Sequence, residues 1–138
     1  MHRAEHNWLR ARSPTLDEFD ALARDAFRAL PGEFLRLCGD VVILVEDFPD
    51  EAVVAEMKLE SEFEILGLYT GVALPFQDSF GPPRLPNTVH LYRRPILDYW
   101  AEHDETLGDI IAHVMIHEIG HHFGLSDEAM HRIEDEAG

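Results

Sequence analysis

Residues 104–127 read DETLGDIIAHVMIHEIGHHFGLSD, and the fold turns on them. Leu107, Ile110, Ile111, Val114, Met115, Ile119 and Phe123 recur at the three-and-four spacing of one helical face. That pattern predicts a long helix over 104–123 with a broad apolar stripe. Gly124 stops it, because glycine takes the left-handed conformation that closes a helix at little cost. Ser126 then stands where a hydroxyl caps the first turn of a last helix reaching Ala137. On the long helix His117 and His121 are one turn apart, so both imidazoles lie on one side, about 6 Å apart along the axis. Glu118 is rotated about 100° from His117 and stands beside that pair.

Two imidazoles so placed can converge on one ion, and Glu118 occupies the place of a general base for a water on that ion. The turn at Gly124 lets the chain fold back so that Asp127 becomes a third ligand. Two neutral imidazoles, one carboxylate and one water suit tetrahedral zinc with an open catalytic position. A bare H-E-x-x-H arises by chance about 0.06 times at this composition, and adding the Gly and the Asp lowers that to about 0.0004. The longer pattern, His117-Glu118-x-x-His121-x-x-Gly124-x-x-Asp127, therefore carries the inference.

Each residue also has a plain reading. His117 and His121 can be helix histidines bonded to backbone or carboxylates, and Glu118 an exposed helix residue. Asp127 sits in a first turn, where the helix dipole favours an acid without any metal. His122 is expected to face solvent or to support a neighbouring ligand. His113, four residues before His117 on the same face, reads as an ordinary helix position rather than a cleft-lining one. His131, four residues after Asp127, can approach the site as a supporting or substitute ligand. Met115 and Met130 read as core.

Upstream, Thr15 and Glu18 form a capping-box pair ahead of Leu16, Phe19, Leu22, Ala23, Ala26, Phe27 and Leu30, a helix that Pro31-Gly32 ends. Phe34, Leu35 and Leu37 suggest a further helical turn. The run 40–47, DVVILVED, reads as a buried strand, and 50–58 as a short helix. Residues 63–74, FEILGLYTGVAL, read as a strand or bent hairpin, 77–87 as a loop, 88–93 (TVHLYR) as a half-buried strand, and 95–103 as a short helix. Helices flank the strands out of strict alternation, which predicts an α+β fold. The expected organisation is an N-terminal arm at 1–13 and one domain at 14–138.

Bulk properties agree with one ordinary domain: 138 residues, 46% hydrophobic. The only cysteine is Cys38, so an intrachain disulfide is excluded. The first residues lack an apolar leader segment and no run is long enough to span a bilayer, so the expectation is a cytoplasmic protein without membrane partners. A net charge of −16 repels phosphate backbones and argues against nucleic-acid binding. The expected partner is a peptide or protein substrate, and the expected state a monomer or weak homodimer.

With these residues in view, the chain resembles the small bacterial zincin-like metallopeptidases, the mini-zincins, over about residues 15–135. The motif carries the resemblance, together with the strand VVILVED, the stretches LGLYTGVAL and VHLYRRPIL, and the ending HHFGLSDEAMHRI. It implies a minimal zincin-like fold, a short mixed sheet packed on helices with the motif on a long helix in the C-terminal half. It also implies Zn2+ held by His117, His121 and Asp127, with Glu118 as catalytic acid and base. Larger Asp- and His-liganded zincins place a methionine-containing turn beneath the metal, well downstream of the third ligand. Only 11 residues follow Asp127, so the floor of the site is expected to be built differently.

The function expected from the sequence is zinc-dependent peptide-bond hydrolysis through a water activated by Glu118. The alternative is a non-catalytic or decayed zincin serving as a metal-stabilised interaction module. A strand at 88–93 is expected to edge the cleft and to pair with extended substrate.

Overall fold

The computed structural model describes residues 8–71 and 87–137. Most of the expected loop at 77–87, the end of the 63–74 segment and the first half of the expected arm lie outside the described residues. The elements run α1 (Leu16–Arg28), α2 (Gly32–Cys38), β1 (Val42–Glu46), α3 (Glu51–Glu56), β2 (Gly67–Thr70), β3 (Thr88–Tyr92), α4 (Arg93–Glu102), α5 (Leu107–His122) and α6 (Asp127–Ala137). A 3-10 turn at Trp8–Arg10 precedes them. The fold is α+β, with six α-helices and one three-stranded mixed sheet among the described residues.

Local chemistry sets the helix starts. Thr15 accepts from the Glu18 N–H at 3.1 Å while the Glu18 carboxylate accepts from the Thr15 N–H at 2.9 Å, a complete capping box. Asp50, Thr106 and Ser126 cap α3, α5 and α6 in the same way through side-chain oxygens. Gly124 follows α5 with φ 76°, the left-handed turn expected of it.

The sheet order is β1-β3-β2. β3 pairs parallel with β1, Val42 opposite Thr88 through Glu46 opposite Tyr92. On its other side β3 pairs antiparallel with β2, Gly67 opposite Leu91 through Thr70 opposite Thr88. The strand at 88–92 is thus the centre of the sheet and cannot receive an added strand; β2 holds that edge. One face of the sheet carries Ile43, Val89 and Leu91 into a core with Phe19 and Ala23 of α1 and Ile110, Met115 and Ile119 of α5. No described helix covers the other face, and Val42 and Leu44 remain 43% and 44% exposed there. The run 40–47 is therefore a half-buried edge strand, not the fully buried one its composition suggests, because the described helices cover one side of it. On the open face His90 ties the strands together, Nδ1 to Glu46 Oε1 at 2.8 Å and Nε2 to Thr70 Oγ1 at 3.1 Å.

α5 lies on β2 and β3, and its approach depends on Gly67. A Cβ at that position would stand 2.6 Å from Val114 Cγ1 and 2.9 Å from the His90 carbonyl oxygen. Gly67→Ala is expected to destabilise the fold by about 1–3 kcal/mol, the usual effect of overpacking. Denaturant titration checks this as a lowered midpoint at unchanged slope. An unchanged midpoint would mean that α5 is not pinned to β2 at this point.

α6 runs back along α5. Met130 packs at Gly120, where a Cβ would meet its sulfur at 2.6 Å, and Glu134 reaches His117 and His113, about one and two turns earlier on α5. Cys38 is buried under this assembly, and burial pushes its thiol up to about 11. No described helix is long and apolar enough to cross a membrane.

Candidate metal centre

Helix periodicity aligns His113, His117 and His121 along one side of α5, each a turn from the next. On α6, Asp127, His131 and Glu134 are spaced i, i+4 and i+7, which also puts them on one side. Because α6 doubles back, Glu134 and His131 of the second row come against His117 of the first, and Glu134 also reaches His113. Asp127 and His121 make no hydrogen bond, ion pair or ring contact across the two helices among the described residues.

His117 stands at the centre of this helix–helix seam and is partly buried. Its Nε2 bonds Glu134 Oε1 at 2.5 Å. The His113 ring stacks on the His117 ring at 4.0 Å and 27°, and its Nδ1 bonds Glu134 Oε2 at 3.1 Å. The His121 ring is set edge-on to that of His117, centroids 5.8 Å apart, and is exposed. The His131 ring is 6.2 Å from that of His117. Asp127 is the exposed first residue of α6. Among the described residues, the donors that close to within 4.8 Å of one another are those of His113, His117 and Glu134.

The structure thus sets His117 and His121 side by side on α5, as their spacing requires, but points the His117 nitrogen at Glu134. His113, expected as an ordinary helix position, and Glu134, which sequence reasoning missed, are its immediate partners. The signal that could have found Glu134 is its i+3 spacing from His131 and i+7 from Asp127. That signal has force only once α6 is known to fold back onto α5. Burial alone would push the Glu134 carboxyl up, but the hydrogen bonds and charge of His113 and His117 outweigh it and hold the carboxyl below its usual range.

Glu118 faces the other flank of α5, toward the sheet. The Tyr92 N–H donates to the Leu66 carbonyl at 3.0 Å, so the bonded pairs alternate from there and the backbone of Gly67 and Tyr69 points to the edge of β2 that no described strand pairs. The Tyr69 backbone on that edge lies near enough to the Glu118 carboxylate to favour its charged form. Burial pushes the Glu118 carboxyl up, and the nearby His121 charge and the Tyr69 backbone offset only part of this.

His122 turns inward. Its ring lies against that of Tyr69 at 4.1 Å and 33°, not toward solvent. Among the described residues, His122 Nε2 and the Tyr69 hydroxyl are both buried without a hydrogen-bond partner.

The donor set fits zinc. Imidazoles and carboxylates are its usual non-sulfur ligands, and the rows on α5 and α6 supply both kinds from rigid helices. An ion held by His117 Nε2 would displace the hydrogen bond this nitrogen now makes to Glu134 Oε1. The model of one protein family, described as zincin-like metallopeptidase, matches residues 38–137. No curated protein matches the chain.

Proposed function

Because the chain belongs to the zincin-like metallopeptidase family, we propose that it hydrolyses peptide bonds, with Zn2+ held by His117, His121 and Asp127 and with Glu118 as acid and base. The observation that carries this reading is the setting of Glu118. Its carboxyl is partly buried and pushed up by burial, beside the Tyr69 backbone on the edge of β2 that no described strand pairs. A carboxyl raised above its ordinary range accepts a proton more readily, as a general base must.

When bound, zinc supplies Lewis acidity that polarises a carbonyl and lowers the pKa of water. Glu118 takes a proton from the attacking water and returns it to the departing amine. The outward backbone groups of Gly67 and Tyr69 suit an extended peptide laid antiparallel or parallel along β2. Such a peptide would pass directly beside Glu118, since Tyr69 contacts it. β2 thus takes the substrate-pairing role first expected of the central strand.

The second reading is a structural, non-catalytic metal site, and Glu134 speaks for it as a further carboxylate already on His117. Digestion of an unbiased peptide library separates the two. The zinc-reconstituted chain is expected to cut, and the same chain stripped by a chelator is expected not to. A reconstituted chain, shown to hold zinc, that makes no cut above the stripped one would overturn the peptidase reading in favour of the structural one.

A further inference from the structure

We propose that the chain carries a second metal position, built from His113, His117 and Glu134, which shares His117 with the motif position and excludes it. The ligand it would take is a borderline divalent cation of the zinc, cobalt or nickel kind.

Three observations converge. One ligand atom from each residue lies within 4.8 Å of the others, two nitrogens and a carboxylate oxygen from two packed helices. The rings of His113 and His117 stack at 4.0 Å and both bond the one Glu134 carboxylate, so the three side chains already converge on a single point between the helices. A single divalent ion placed there would be met by all three donors. Finally, a cleft of about 260 Å³ opens onto His113 and Glu134, and Glu105, Asp109 and Asp135 also line it. An acidic mouth of this kind raises the local concentration of cations at the ligands.

The plain alternative is a pair of His–carboxylate bonds that merely staple α5 to α6. Exposed ion pairs contribute little to stability, and the His113 side chain is 51% exposed. A staple also requires only one imidazole, whereas here two share one carboxylate.

Sharing His117 has a definite consequence. Its Nε2 has one lone pair, so the two positions cannot be filled together through it. The chain holds one ion, divided between them in a ratio set by their relative affinities and independent of metal concentration. The ligands lost in a motif variant therefore displace the ion toward Glu134 instead of releasing it. This inference rests on the motif reading only for the identity of the competing position.

Cobalt(II) is the probe, read by equilibrium-dialysis stoichiometry and by its visible absorption, with folding of each variant checked by cooperative thermal unfolding. The double variant His121→Ala/Asp127→Ala is expected to bind about one ion per chain with a changed spectrum. Adding Glu134→Ala to it is expected to lower the affinity by at least about 10-fold, comparable to losses of metal-site partners elsewhere. A folded double variant that binds no cobalt, or one whose affinity is indifferent to Glu134→Ala, overturns the proposal. The variant His113→Ala/Glu134→Ala tests the motif position separately and is expected to keep one ion. If it binds none while the His121→Ala/Asp127→Ala variant still does, the motif ligands are wrong and the second position stands.

Discussion

Glu118→Gln is expected to lower peptide cleavage by about 10²–10⁴-fold, the range that a positioned acid–base group supplies, while zinc stays bound. The amide keeps the size and can still lie beside the Tyr69 backbone, but it cannot take a proton from water. The same variant has a stability signature that a bystander would lack. In the metal-stripped chain the folded-state pKa of Glu118 is raised by burial above its unfolded value. Between those two values the folded state keeps a proton that the unfolded state has released, so stability falls as pH rises through the window. Below the ordinary glutamate range both states are protonated and the favourable contribution is fully present; above the raised value it is lost. The glutamine variant has no such titration. It is expected to melt higher than the parent at neutral and alkaline pH, with the gain disappearing toward acid pH. Parent-like cleavage by the variant would remove Glu118 from the chemistry, and a melting difference that does not vary with pH would contradict its buried setting.

His117→Ala is expected to remove stoichiometric zinc altogether. His117 is the one donor placed to serve the pair with His121 and the group with His113 and Glu134. Truncating it leaves His113 and Glu134 as one remainder and His121 and Asp127 as the other, and neither reaches the three protein ligands of an open zinc site. The helix itself should survive, because α5 is anchored by Ile116, Ile119 and Met115, all fully buried, and not by this ring. Elemental analysis of a folded His117→Ala chain checks it, with circular dichroism confirming the helices. Zinc held as tightly as in the parent would place the metal away from this seam and would undercut both assignments.

How far the site could be read in advance differs from residue to residue. His117 and His121 share a side of α5 because a helix has 3.6 residues per turn, whatever packs against it. Thr15, Asp50, Thr106 and Ser126 are equally local, since a capping oxygen reaches a backbone N–H two or three residues away. The strand at 88–92 was recognisable from its alternation, yet its central place was not. Alternation reports which face is buried and says nothing about which neighbours lie on either edge. The same limit hid the approach of Tyr69 to Glu118, two residues 49 apart in the chain.

By itself, the sequence determined the helices to within a few residues at their ends, the apolar stripe of α5, the α+β class, and the row of imidazoles beside Glu118. These follow from interactions that span a few residues and from periodicities the backbone imposes. The tertiary structure alone decided that α6 doubles back so that Glu134 meets His117 and His113, that β2 rather than β3 forms the edge beside the acid, and that Glu118 is desolvated there. Those outcomes depend on which surfaces exclude water from which, and that is settled by the packing of the whole chain at once.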